Sequence, residues 1–364
     1  MGSDIVLLRI MLMPQELLTG VPRIKVVGVG CAGTNMVDWL ARLKIQGAEL
    51  IAVDTDKAHL DIVEADRKIL IGKELTRGLG AGGDPSKGEE AAKASLQELK
   101  EAVEGADMVW ILAGLGGGTG SGGAPVIAKL AKEAGVDLVI ATVTMPFRME
   151  GTVRLEKAEY ALQNLQQFAD NIIVIDNNKL LEIAGNLPLR DAFAYANNMI
   201  GQMIKGIVEA IAVPSLVNLD FADVRTVMTR GGGLSVVGIG ESSSENRAAE
   251  AVRRALENPL LEVNYEGAAG AIVHVQGGPD MTLNEVAQIG DYVYQFMGPD
   301  SLVIWGARID DSMEGRIRVT VIVSGVKSPY ILGRKLRLGR GQRNKEKVAV
   351  VKDRDLGIDF LQPW

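Results

Sequence analysis

Seven of the ten residues at 114–123, GLGGGTGSGG, are glycine. Ordering a glycine costs more backbone entropy than ordering any other residue, so this density does not serve packing alone. The run follows an apolar stretch at 109–113 that reads as a buried strand, and it opens a helical pattern. A strand-to-helix junction of this kind leaves backbone N–H groups at the helix start that attract phosphate. A second such junction stands earlier: Gly28, Gly30 and Gly33 form a G-x-G-x-x-G after an expected strand at 24–29 and before an expected helix at 35–45. Asp54 ends the next strand, 21 residues after Gly33, which fits the dinucleotide-binding fingerprint. Two loops aiming amides at one point describe a polyphosphate site, and a plain dinucleotide fold does not require the second. A third segment, RGLGAGGDP at 77–85, reads as a mobile loop able to close over a terminal phosphate. There is no G-x-x-x-x-G-K-[ST], and Asn178-Lys179 lacks an Asp two residues after the lysine, so the P-loop and small-GTPase motifs are absent.

Around these loops, apolar strand runs alternate with helical patterns. Further strands are expected at 50–53, 138–143 and 172–175, with an amphipathic stretch at 150–168. Near-continuous apolar strands alternating with helices specify a parallel sheet covered on both faces. A long helix is expected at 189–212, where Ile200, Met203, Ile204, Ile207, Val208 and Ile211 recur at helical spacing before Pro214. Beyond it, strands at 234–239, 271–275, 302–305 and 316–323 and helices at 246–256 and 283–296 read as a second, smaller α/β domain. The fold class is therefore α/β: an N-terminal Rossmann-like parallel sheet joined by a long central helix to a smaller α/β domain.

Composition narrows the function. Charge is 39 − 46 = −7, which argues against nucleic acid as the partner. The single cysteine, Cys31, excludes an intrachain disulfide and reads as a buried, inert thiol. No apolar run is long enough to cross a membrane, so direct membrane insertion is not expected. His59 falls in the early nucleotide region, and His274 reads as a core residue of a buried strand. Residues 1–21 read as an N-terminal extension. Residues 331–364 carry nine Lys/Arg and four Asp/Glu, a net +5, and close on an apolar cluster at 356–361. That tail either packs on its own domain or is a docking peptide that orders on a partner.

The GGGTGSG run at 116–122 is the signature loop of the tubulin/FtsZ family, and the chain resembles its FtsZ branch over about 22–328. VGVGCAGTN and RGLGAGGDP resemble the family's other phosphate loops. MPFRMEGTVR, IDNNKL, DAFAYANN and NLDFADV follow in family order. The GSG ending of the signature loop is the tubulin variant, and an archaeal-type FtsZ is the closer resemblance. The resemblance implies a GTP-binding domain at 22–188, a central helix at 189–213, a C-terminal activation domain at 214–330 and a flexible basic tail at 331–364. It implies GTP and GDP as ligands with Mg2+. Phosphates would be cradled by Cys31, Ala32, Gly33, Thr34 and Asn35 and by Gly117, Gly118, Thr119, Gly120 and Ser121, with Ala81 and Gly82 in the third loop. Glu150 and Arg154 would meet the ribose and phosphate side. Asn177 and Asn197 would read the guanine edge, with Phe193 stacking on the base one turn before Asn197. Three positions depart from the family pattern: Cys31 where Gly is common, Asp54 where many members have Asn, and Asp176 where many have Pro.

Asn218, Asp220 and Asp223 form the remaining constellation. By themselves, Asp220 and Asp223 read either as a helix N-cap or as paired carboxylates that polarise a water. They follow a helix of about 24 residues, roughly 36 Å long, so they sit far from the phosphate loops of their own chain. The resemblance implies that they are catalytic and complete the nucleotide pocket of the next subunit in a head-to-tail homopolymer. Hydrolysis would then depend on assembly. It further implies a cytoplasmic protein at the mid-cell division site, with an adaptor or membrane anchor recruited through Gly357 to Leu361. Two other readings stand beside this one. A Rossmann-type NAD(P)-dependent oxidoreductase accounts for the first loop and Asp54 but leaves the second loop and NLDFADV without a role. A non-division, tubulin-like shape protein is the reading within the family.

Overall fold

The computed structural model describes residues 20–230, 233–257 and 268–326. Residues 1–19 of the expected extension at 1–21, and the whole expected tail at 331–364, lie outside the described residues. Among the described residues, ten strands form one mostly parallel sheet in the order β3-β2-β1-β4-β5-β6-β7-β10-β8-β9. In chain order they are β1 (Ile24–Val29), β2 (Ala48–Asp54), β3 (Arg67–Leu70), β4 (Met108–Gly114), β5 (Leu138–Met145), β6 (Asn171–Asp176), β7 (Leu234–Ser242), β8 (Gly270–Gly277), β9 (Leu302–Ile309) and β10 (Ile317–Ser324).

β1 pairs in parallel with β2 on one side and β4 on the other, Val27 lying opposite both Ile51 and Ile111. Strand order reverses there, and a ligand crevice opens beyond the carboxyl ends of strands at such a switch point. The two glycine-rich loops that follow β1 and β4 are therefore neighbours by topology. Each runs directly into a helix: α1 (Gly30–Arg42) after β1, and, across β4, a helix at Thr119–Glu133. The first helix begins at Gly30 and not near Asn35, because the glycine loop is itself the helix's first turn. Gly33 has no room for a side chain: a Cβ would stand 2.1 Å from the Leu112 carbonyl oxygen. That contact seats α1 against β4.

Short helices that the apolar periodicity did not show fill the segment between β2 and β4. They are α2 (Lys57–Ile62), α3 (Lys73–Thr76), α4 (Pro85–Ala94) and α5 (Leu96–Val103). The helix at Thr119–Glu133 is then α6, followed by α7 (Thr152–Leu165) and α8 (Asn177–Ala184). The long helix α9 spans Leu189–Ala212 and is followed by α10 (Phe221–Thr229), α11 (Arg247–Leu256) and α12 (Leu283–Met297).

The two halves of the chain share the sheet. β7 joins β6 in parallel through Ile172↔Leu234 and Ile173↔Ser235, and β10 then runs antiparallel between β7 and β8. One hydrophobic core also spans both halves: Met203, Ile204, Ile207 and Val208 of α9 share it with Trp110 of β4 and with Ile272 and Ile322 of the second half. Each such fully buried side chain contributes about 1.5–3 kcal/mol. Glu209, buried on α9, accepts from the Gln46 N–H at 3.0 Å and pairs with Arg308 of β9. Its carboxylate thus ties the central helix to both halves.

Candidate nucleotide site

A cavity of about 360 Å3 opens at the switch point, within the usual range for a small-ligand site. The helices that start at its wall, α1 and α6, have no side-chain cap. Their first N–H groups are left for an external acceptor, and the helix dipoles favour an anion there. By contrast, α2 and α4 are capped by Asp56 and Asp84. Gly120 is held by close approach: a Cβ would stand 2.5 Å from the Gly114 carbonyl oxygen and 3.2 Å from that of Val29. Gly117, Gly82 and Gly83 have nothing within 4 Å of where a Cβ would be. These three glycines leave backbone open to the cavity.

Of the residues singled out by sequence, the structure brings Cys31, Ala32, Ala81, Gly82, Gly117, Gly118, Thr119, Gly120, Glu150, Arg154 and Asn177 to this one cavity. Glu150 Oε1 accepts from the Phe147 N–H at 2.8 Å, and its other oxygen pairs with Arg154 at 2.5 Å. Lys157 Nζ donates to the Gly83 carbonyl at 2.6 Å and ties α7 to the third loop.

Other candidates stand behind the wall or beside it. Gly33 and Thr34 are buried, and Asn35 is exposed away from the lining. Ser121 is buried and accepts from the Gly116 N–H at 2.9 Å, which shapes the loop from inside. Phe193 and Asn197, on α9, are outside the lining. Phe193 is exposed and meets Phe147 edge-on at 6.2 Å, one residue beyond the cavity-lining Pro146.

Cys31 corrects an expectation. It is exposed, not buried, because α1 starts at Gly30 and turns the thiol toward the cavity. Partial enclosure by the wall and, second, the charge of Asp54 push this thiol up to about 11, so it stays protonated near neutrality. Asp54 is raised above the usual carboxylate range by burial. Its Oδ1 accepts from the Thr55 N–H at 2.7 Å. His274 is buried in β8, and burial, followed by the charges of Arg308 and Arg318, lowers it to about 4, so it is neutral.

The lining also includes Gly80, Gly83 and Pro146, which belong to the RGLGAGGDP and MPFRMEGTVR segments singled out above, and Asp56 and Thr144, which sequence reasoning missed. The signal for Thr144 is topological: it lies near the end of the strand beside β4. Asp56 gave no signal, because the short helix that it caps was itself not expected.

Asn218, Asp220 and Asp223 are all exposed, and none lines the cavity. Asp220 caps α10, its Oδ1 accepting from the Ala222 N–H at 2.8 Å. Asn218 Oδ1 accepts from the Ser215 N–H at 2.7 Å and its hydroxyl at 2.6 Å. The segment follows the C-terminus of the 24-residue α9, whose first half carries Phe193 and Asn197.

A parallel sheet whose uncapped helix starts converge on a cavity at its switch point defines an α/β nucleotide-binding protein. The chain belongs to the tubulin/FtsZ family: residues 23–185 match the Tubulin/FtsZ family GTPase domain, and residues 233–327 match the FtsZ family C-terminal domain. It is 48% identical to cell division protein FtsZ 2 of Methanocaldococcus jannaschii, over 94% of this chain and 90% of that protein. It is 53% identical to cell division protein FtsZ 1 of Archaeoglobus fulgidus, over 86% of this chain and 84% of that one. A solved structure described as an empty FtsZ dimer of M. jannaschii superposes with a TM-score of 0.81 at 46% identity, over 89% of this chain and 92% of that one. CetZ2 of Haloferax volcanii, solved as a GTPγS-bound protofilament, gives 0.71 at 26% identity, over 86% and 97%. The chain is thus a GTPase of the FtsZ branch, and the oxidoreductase alternative falls.

Proposed function

We infer that this chain polymerises head to tail on GTP, hydrolyses GTP where two subunits meet, and serves cell division at mid-cell. The observation that carries the reading is a separation. The amide-lined cavity lies at the switch point, whereas Asn218, Asp220 and Asp223 are exposed beyond the C-terminus of α9 and outside its lining. A heterologous contact joining these two surfaces generates an open filament. The curated relatives are named cell division proteins, and solved relatives are described as a dimer and a protofilament.

The cavity fits a nucleoside triphosphate. Uncapped helix starts and the open backbone at Gly117 and Gly82 suit phosphate oxygens, with Cys31 to Asn35 and Gly117 to Ser121 as the two cradles. Glu150 and Arg154 face the ribose and phosphate side. Asn177 and Asn197 read the guanine edge, and the exposed ring of Phe193 stacks on the base. Asp56 offers a hard carboxylate in the same wall, as a magnesium ion on the phosphates prefers. When bound, that ion supplies charge neutralisation across the phosphates. The neighbour's Asp220 and Asp223 orient and polarise the attacking water, and Asn218 holds the segment that carries them. The tail at 357–361 takes an adaptor or anchor.

Specific GTPase activity should rise from near zero above a threshold protein concentration, together with light scattering in GTP but not in GDP. Activity per molecule that is flat across concentration would refute an intersubunit site.

A further inference from the structure

Cys31, Asp54 and His59 come from three elements: the first turn of α1, the end of β2 and α2. Each offers one ligand atom, and the three atoms lie within 4.8 Å of one another. Asp54 is only 1% exposed, and its Oδ2 is buried with no hydrogen-bond partner among the described residues. The side-chain donor that faces this carboxylate is the weak thiol of Cys31, and a poorly satisfied buried carboxylate oxygen carries a cost that a bound ion removes. His59 is held in place: its backbone N–H donates to Asp56 at 3.1 Å, and its Nε2 lies 2.9 Å from Thr34 Oγ1. Outer hydrogen bonds of this kind orient metal-binding imidazoles. The donor set is one sulfur, one nitrogen and one oxygen. Such a borderline-soft set suits zinc and not magnesium, which takes oxygen ligands. Three protein ligands leave a fourth tetrahedral position. Cys31 and Asp54 both line the cavity, so water or a phosphate oxygen can reach it from that side.

We propose that Cys31, Asp54 and His59 form a zinc-class cation site in the cavity wall, distinct from the magnesium that accompanies a nucleotide. The site stands on side-chain geometry and does not depend on which nucleotide fills the cavity. On binding, a sulfur–metal bond forms and the thiol proton leaves to solvent.

The test uses the full chain, stripped of nucleotide and washed with chelator, and titrated with Co2+ as a coloured stand-in for Zn2+. Cys31 is the only cysteine, so a thiolate-to-cobalt charge-transfer band reports on this site alone. The expected result is a saturable band at one ion per chain, displaced by Zn2+ and lost in Cys31→Ser. Affinity should fall by more than about tenfold in His59→Gln and in Asp54→Asn. The half-buried His59 keeps the test decisive if the Asp54 variant does not fold. No band in the wild type, or an unchanged cobalt affinity in His59→Gln, overturns the proposal.

Discussion

The cavity end of the molecule and the carboxylate segment beyond α9 are built in opposite ways. The first is made of backbone. Its helix starts carry no side-chain cap, and its glycines are pressed against neighbouring carbonyls or open to the cavity. The second is made of exposed side chains whose local bonds are ordinary: Asp220 caps α10, and Asn218 closes a turn with Ser215. The cavity end therefore looks unfinished without a ligand, whereas the carboxylate segment looks finished without a function. Substitutions should accordingly act on folding and binding at one end and on turnover, with no more than a helix-cap loss in stability, at the other.

The largest effect belongs to Gly120→Ala. Its new methyl would press on two backbone carbonyls, so overpacking should cost about 1–3 kcal/mol and nucleotide binding should vanish. Gly117→Ala, a few residues away, meets nothing within 4 Å. It should keep its Tm and weaken binding only by intruding on the cavity. Thermal melts and titration with a fluorescent GTP analogue separate the two. Wild-type binding by Gly120→Ala would break the account of a backbone-built cradle.

Next comes Asp220→Asn. Asparagine caps a helix as well as aspartate does, so stability and GTP binding should hold while GTPase activity falls by roughly 10²- to 10⁴-fold. Mixing it with Gly117→Ala sharpens the comparison, because one variant supplies an intact cavity and the other an intact carboxylate. Activity above the sum of the two indicates a site shared between subunits. Simple addition places both parts in one molecule.

What was legible in the sequence follows the same division. The span of α9 was readable because six apolar residues recur at helical spacing and Pro214 stops the pattern. Both glycine-rich loops at the cavity were readable because their backbone geometry is written in the glycines themselves. β3 was not, since RKIL places two cations in a four-residue strand. α2 to α5 were missed because they are short and carry no sustained apolar stripe. The start of α1 was missed because glycines that read as loop are its first turn, and the exposure of Cys31 was misjudged with it. Thr144 joins the site through strand order, which local periodicity does not encode. The same holds for the β6–β7 pairing, which links residues some 60 positions apart in the chain.

A smaller effect should appear at the joint between the two ends. His274 packs against Gly206 of α9, where a Cβ would stand 3.0 Å from its Nδ1. Its pKa is about 4 when folded, against about 6.5 unfolded. Above pH 6.5 both states are neutral and nothing is lost. As pH falls below 6.5 the unfolded chain takes a proton that the folded chain refuses, and the loss levels off below pH 4 at about 3 kcal/mol. Urea midpoints at pH 7 and pH 4.5 should diverge more in the wild type than in His274→Leu. Equal divergence would show that this histidine does not weaken the joint.

The smallest effect separates cap from chemistry at one residue. Asp220→Ala removes the acceptor that Ala222 uses, so it should be about 1 kcal/mol less stable than Asp220→Asn. If Asp220 acts on a neighbour's water, both variants lose turnover equally, because neither carries the charge. If its role is only to start α10, turnover follows stability: Asn retains it and Ala loses part. Urea denaturation and GTPase assays on the pair decide between these outcomes. Retained turnover in Asp220→Asn would make the carboxylate segment as finished as it looks and move the search for the catalytic group elsewhere.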